Sequence, residues 1–169
     1  ERRLPIYFLV DVSGSMEGAP ICAVESCIRQ LLQSIATDPC LLDSVFLSLI
    51  FFGNMPERIT SLVSVSNFVL PNFKCEGLPM LGPALRFLGE VREKDSALRE
   101  KEIHQQGAER NRDRLPYFFC FTNGDVFSDG MEEGVKRLLN QRWGKVGFFW
   151  INEDGRINIG DYVDSRIVF

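Results

Sequence analysis

Four apolar runs punctuate the chain, each of strand length: residues 4–10 (LPIYFLV), Val45–Phe52 (VFLSLIFF), Tyr117–Thr122 (YFFCFT) and residues 146–151 (VGFFWI). Runs that stay apolar instead of alternating with polar residues predict strands covered on both faces. Between the first two, Ile21, Val24, Ile28, Leu31, Leu32 and Ile35 recur at helical spacing, with Pro20 at a first-turn position. A helix is therefore predicted over about 20–37. Asp38-Pro39 is read as its stop, because proline disfavours helical backbone in the residue before it. A loop at 77–82 leads into a second helix with Ala84, Leu85, Leu88 and Val91 on one face, and Val135, Leu138 and Leu139 predict a third over 131–143. The shorter, more polar segment 59–65 reads as an edge strand beside Val45–Phe52, and 67–75, with Pro71, as an irregular connection.

Two stretches carry weaker patterns. Residues 92–114 are dense in charges of both signs, with Leu98 and Ile103 as the apolar anchors. They read as a solvated helix extension followed by a loose loop around Gln106-Gly107. In the tail, 152–169, the periodicity fades after Asn152-Glu153-Asp154-Gly155, and a short strand or helix is the expectation. Strands alternating with amphipathic helices imply one α/β domain over 1–169, with a largely parallel sheet flanked by helices. In such sheets ligands bind beyond the carboxyl ends of the strands, where strand order reverses. Asp11 and Asn123 each follow a buried strand, so their loops are expected at that end.

The loop after the first strand holds the most distinctive chemistry. Asp11-x-Ser13-x-Ser15 offers one carboxylate and two hydroxyls within five residues, and Gly14 lets the backbone bend between them. Hard oxygen donors of this kind suit Mg²⁺, which keeps several waters in its shell. The helix start downstream disfavours a cation slightly, and the carboxylate has to offset it. The plainer role for the same residues is to shape a loop or cap a helix. Nucleophile-elbow, phosphate-loop and dinucleotide-binding motifs are absent. His104, the single histidine, falls in the charged stretch, where it reads as a solvated surface residue.

Composition narrows the classes. The formal charge of −4 argues against nucleic acid, and the longest apolar run is too short to span a bilayer. Five cysteines in no metal-like or disulfide-like spacing point to reduced thiols and a cytoplasmic setting.

The stretch Leu9-Val10-Asp11-Val12-Ser13-Gly14-Ser15-Met16 resembles the metal-ion-dependent adhesion site of von Willebrand factor A (vWA) domains. The nearer resemblance is to the bacterial TerY-like branch, associated with tellurium resistance and stress operons, through Arg2-Arg3-Leu4-Pro5, Asp38-Pro39 and the 77–82 loop. It covers the chain to about Ile151. It implies a doubly wound, mostly parallel sheet with one antiparallel edge strand, helices on both faces and a metal at the loop end. Two positions depart from the pattern: Pro79 stands where the family carries a threonine ligand, and Asn123 where it carries an aspartate. The implied site is thus Asp11, Ser13, Ser15 and Asn123, degenerate, with Mg²⁺ held weakly or absent.

The function expected is a non-enzymatic protein-interaction module. Its partner surface is expected to include Met16, Glu17, Leu78, Met80, Asp125 and Phe127. The resemblance implies kinase- or phosphatase-like partners in a bacterial stress or defence assembly. The alternative is a small Mg²⁺-dependent hydrolase of phosphate esters built on Asp11.

Overall fold

The computed structural model describes residues 2–107, 112–124 and 144–159. Six strands form one sheet: β1 (Leu4–Asp11), β2 (Val45–Phe52), β3 (Pro56–Ser64), β4 (Tyr117–Thr122), β5 (Lys145–Ile151) and β6 (Ile157–Ile159). Their order is β3-β2-β1-β4-β5-β6. The four inner strands run parallel, and β3 and β6 lie antiparallel at the two edges. The expected doubly wound α/β architecture is present, with one correction: two antiparallel edges stand where one was expected. The second arises because Gly155, at φ +75°, helps turn the chain after β5 and lets Ile157–Ile159 return alongside it.

Each inner strand feeds two cores. Along β1, Ile6, Phe8 and Val10 pack on one face, and Tyr7 and Leu9 on the other. The first face receives α1 (Ala19–Ala36) through Val24, Ile28 and Ile35. The second receives α3 (Leu81–Gln106) through Leu81, Ala84, Leu85, Leu88 and Val91. Both faces are covered, so an unbroken apolar run is the sequence such a strand needs. Truncating a side chain such as Phe8, fully buried among other rings, would cost about 3–5 kcal/mol.

Asp38-Pro39 does end α1, and it also starts another helix. Asp38 accepts hydrogen bonds from the N–H groups of Cys40 and Leu41, and Pro39 opens the six-residue α2 (Pro39–Ser44). An N-cap aspartate followed by a first-turn proline is a helix start as much as a helix stop. The helix extension over 92–106 is present as the second half of α3, which closes at Gly107 in left-handed conformation. Ile103 anchors it in the protein, whereas Leu98 is exposed. The predicted helix over 131–143 lies outside the described residues.

The chain leaves β1 through α1 toward β2 on one side, and later returns through α3 to β4 on the other. The carboxyl ends of β1 and β4 therefore flank the point where strand order reverses.

Candidate functional site

Asp11 is the last residue of β1 and is fully buried. Its Oδ1 accepts the Ser13 N–H at 2.9 Å, which folds the loop back on the strand, and its Oδ2 accepts the Thr122 hydroxyl at 2.8 Å. Thr122 ends β4 next to Asp11 because the β1–β4 register pairs Val10 with Phe121. Thr122 Oγ1 in turn accepts the Gly124 N–H at 3.3 Å. Burial raises the Asp11 carboxyl above its ordinary value, opposed by hydrogen bonds from Ser13 and Thr122.

The hydroxyls of Ser13 and Ser15 lie 3.1 Å apart. Asn123 reaches across from the β4 loop, its Nδ2 donating to Ser15 Oγ at 2.8 Å and to the Ser15 carbonyl at 3.3 Å. The sequence-predicted Asp11, Ser13, Ser15 and Asn123 are thus brought together. Thr122 belongs with them although the sequence reading left it out of the site. The signal was its position at the end of a buried strand, one residue before Asn123.

A second loop closes over the first. The Gly14 N–H donates to the Gly77 carbonyl at 3.0 Å, and the Glu76 N–H to the Val12 carbonyl at 2.8 Å. Gly77 has φ +82°, and a side chain there would run into the Asn54 amide, whose Oδ1 accepts the Leu78 N–H at 2.8 Å. Asn54 thereby fixes the loop in which a metal-binding threonine would be sought. Position 79 instead holds a buried proline, which supplies no side-chain oxygen.

The expected contact surface needs one correction. Met16 is fully buried, because Gly14–Met16 forms a 3-10 turn that rotates the side chain into the core beneath α1. Glu17 is exposed, Leu78 is 53 % exposed and Met80 is partly buried. Asp125 and Phe127 lie outside the described residues. Met55, which the sequence reading did not single out, is 78 % exposed at the turn between β2 and β3. It borders a cleft of about 400 Å³ whose walls include Val12, Phe51, Asn54, Glu57 and Lys74.

The donor set is one carboxylate with the hydroxyls of Ser13, Ser15 and Thr122. These are hard oxygen ligands that fit Mg²⁺ in kind, with a single formal charge to hold it. No group of three or more histidine, cysteine, aspartate or glutamate side chains among the described residues is placed to bind a metal. Hydrolytic use of Asp11 with histidine fits poorly. The α3 N-terminus adjoins this end through the Met80 N–H to Gly53 carbonyl bond. His104 is exposed in the last turn of α3, about 35 Å further along the helix at 1.5 Å per residue. No helix among the described residues is long and apolar enough to cross a membrane.

Neither a protein-family model nor a curated protein matches the sequence. The fold is matched by solved structures. The SpRpn10 VWA domain is 14% identical with a TM-score of 0.54, over 86% of this chain and 72% of that one. The ArnB paralog VWA2 from Sulfolobus acidocaldarius is 17% identical with a TM-score of 0.51, over 88% of this chain and 34% of that one. The pilus adhesin SpaC from Lactobacillus rhamnosus GG is 20% identical with a TM-score of 0.52, over 73% of this chain and 15% of that one. The chain spans about a third or less of the length of most such matches. The fold is that of vWA domains.

Proposed function

We propose that this domain is a non-catalytic protein-interaction module whose partner docks on the loop end of the sheet, beside a weak Mg²⁺ site. One observation carries the reading: a fully buried carboxylate, Asp11, sits at the strand-order reversal with neutral hydrogen-bond donors around it. A buried charge without a counter-charge is costly, and a cation or a partner's cationic group would offset that cost. Around it, exposed Leu78 and Met55 offer the apolar centre of an interface, with Glu17 and Glu57 at its rim. The adhesin among the fold matches fits a binding role. The resemblance of Arg2-Arg3-Leu4-Pro5, Asp38-Pro39 and the 77–82 loop to TerY-like proteins favours a cytoplasmic stress or defence assembly with kinase- or phosphatase-like partners.

The test has two arms. Millimolar Mg²⁺ should stabilise the protein by less than about 1 kcal/mol, since the gain grows only as RT ln(1 + [L]/Kd), and Asp11→Ala should abolish it. The Met55→Asp/Leu78→Asp variant should bind a partner purified from the host at least tenfold more weakly, with an unchanged melting temperature and little dependence on chelator. Magnesium-dependent hydrolysis of p-nitrophenyl phosphate, lost in Asp11→Ala, would overturn the reading in favour of an enzyme.

A further inference from the structure

At the amino-terminal end of the sheet, away from Asp11, the second half of α3 and residues 112–113 line an open cavity of about 140 Å³. Arg92, Ser96, Arg99 and Ile103 line it from the helix, at spacings that place them on one face, and Arg112 lines it from the segment leading into β4. Arg2 and Arg3 tie that segment down: Arg2 Nε donates to the Arg112 carbonyl at 3.0 Å, and the Arg114 N–H donates to the Arg3 carbonyl at 2.7 Å.

Two carboxylates share the lining, Asp113 and the exposed Glu100. Asp113 already accepts Arg99 Nε at 3.0 Å and Arg3 Nε at 3.4 Å. Asp95, one turn along α3 from Arg92, is held by both terminal nitrogens of Arg58. Arg92 donates to Ser96 Oγ, and neither Arg92 nor Arg112 forms an ion pair with a described residue. Three arginines and a serine, against two carboxylates, thus line a small, open cavity in a chain whose net charge is −4.

We propose that this cavity is a binding site for a phosphoryl group, gripped by Arg92 and Arg112 with Ser96 as a hydroxyl partner. Guanidinium is the side chain best shaped to donate paired hydrogen bonds to phosphate oxygens. The volume decides the ligand's size: pockets for whole cofactors run to roughly 300–1,000 Å³, so this one takes a single phosphoryl headgroup and leaves its carrier in solvent. The apolar floor is Ile103, too little to seat a nucleoside base. Arg99 is a positioning residue, because its bonds to Asp113 and Glu102 hold the returning segment against α3.

Inorganic phosphate and the peptide acetyl-Ala-phosphoSer-Ala-amide are titrated against the whole chain by NMR at low ionic strength. Chloride at matched ionic strength and the unphosphorylated peptide are the controls. The expected result is saturable shifts of the Ser96, Ile103 and Asp113 amide signals with phosphate. The double variant Arg92→Gln/Arg112→Gln should lose at least tenfold in affinity, with a melting temperature in chloride within a few degrees of the parent. If the peptide binds tenfold tighter than inorganic phosphate, the source is a phosphorylated segment; equal affinities indicate a free phosphate ion. Shifts that do not saturate, that map elsewhere, or that the unphosphorylated peptide reproduces would overturn the proposal. The mapping on the parent protein decides the matter even if the double variant fails to fold.

Discussion

Two aspartates are drawn into this protein beside β1, and they are satisfied in opposite ways. Asp95, on α3, sits against the middle of the sheet, where Arg58 of β3 grips both its oxygens at 3.0 and 2.7 Å and the Tyr7 hydroxyl donates to it at 2.9 Å. Asp11, at the end of the same strand as Tyr7, receives an amide and a hydroxyl and no cation from the described residues. A buried carboxylate with a guanidinium partner is complete within the fold, and its work is to tie helix, edge strand and central strand together. A buried carboxylate held by neutral donors remains short of positive charge. The pairing separates a structural charge from one available for binding, although both residues are equally acidic in the sequence.

Removing the cation from the completed pair should have the largest effect. Arg58→Met leaves Asp95 in place with one neutral donor. We expect a loss of about 2–3 kcal/mol in urea unfolding, less than for a fully sequestered pair because Arg58 is partly solvated. A loss below about 0.5 kcal/mol would erase the distinction drawn between the two aspartates.

Asp11→Asn should have a smaller effect of the opposite sign in chelator-treated protein. Burial raises the Asp11 carboxyl in the folded state, so between its ordinary value near 4 and the raised folded value the native protein holds the extra proton. Parent stability should therefore fall as pH rises through that window, then level off. Asparagine keeps an acceptor for the Ser13 N–H, and the Thr122 hydroxyl can turn from donor to acceptor. The variant should be at least as stable as the parent at pH 7 and should lose that segment of the pH profile, as followed by thermal unfolding from pH 3 to 8.

The smallest effect sharpens the comparison by reporting on charge at Asp11. The Cys75 thiol is pushed up to about 11, by burial first and then by the negative charges of Glu17 and Asp11. Neutralising Asp11 by mutation, or adding Mg²⁺ to the parent, should speed iodoacetamide labelling of Cys75 at pH 9 by a factor of about two. Labelling of the exposed Cys40 should stay constant. Arg58→Met should leave both rates unchanged.

Much of the scaffold was legible because its strands are covered on both faces. Runs such as 4–10 and Tyr117–Thr122 have the length and the unbroken apolar character of strands covered on both faces, and the spacing from Ile21 to Ile35 is that of a helix. The features that escaped depend on geometry that residue type does not encode. Pro39 stops one helix and starts another, depending on whether the Asp38 side chain turns toward the following N–H groups. Met16 reads as an exposed loop residue until the 3-10 turn rotates it inward. Thr122 became part of the site only through a register that sets β4 beside β1. In the site, Asp11, Ser13 and Ser15 were visible as a short motif. The latch of Asn54 on the Leu78 N–H joins residues 24 positions apart, which no local pattern signals.

That same register carries a consequence for how the chain acquires its function. β1 meets β2 at a separation of 41 positions, Leu4 with Val45, but meets β4 at 111, Ile6 with Tyr117. The longer closure adds only about 0.9 kcal/mol of chain entropy, yet pairings of such high contact order form late on the folding path. During synthesis, the first half of the sheet can dock long before Thr122 leaves the ribosome. The Asp11 pocket is assembled only when β4 joins the half of the sheet already formed, so whatever recognises it selects chains in which that long-range pairing has been made.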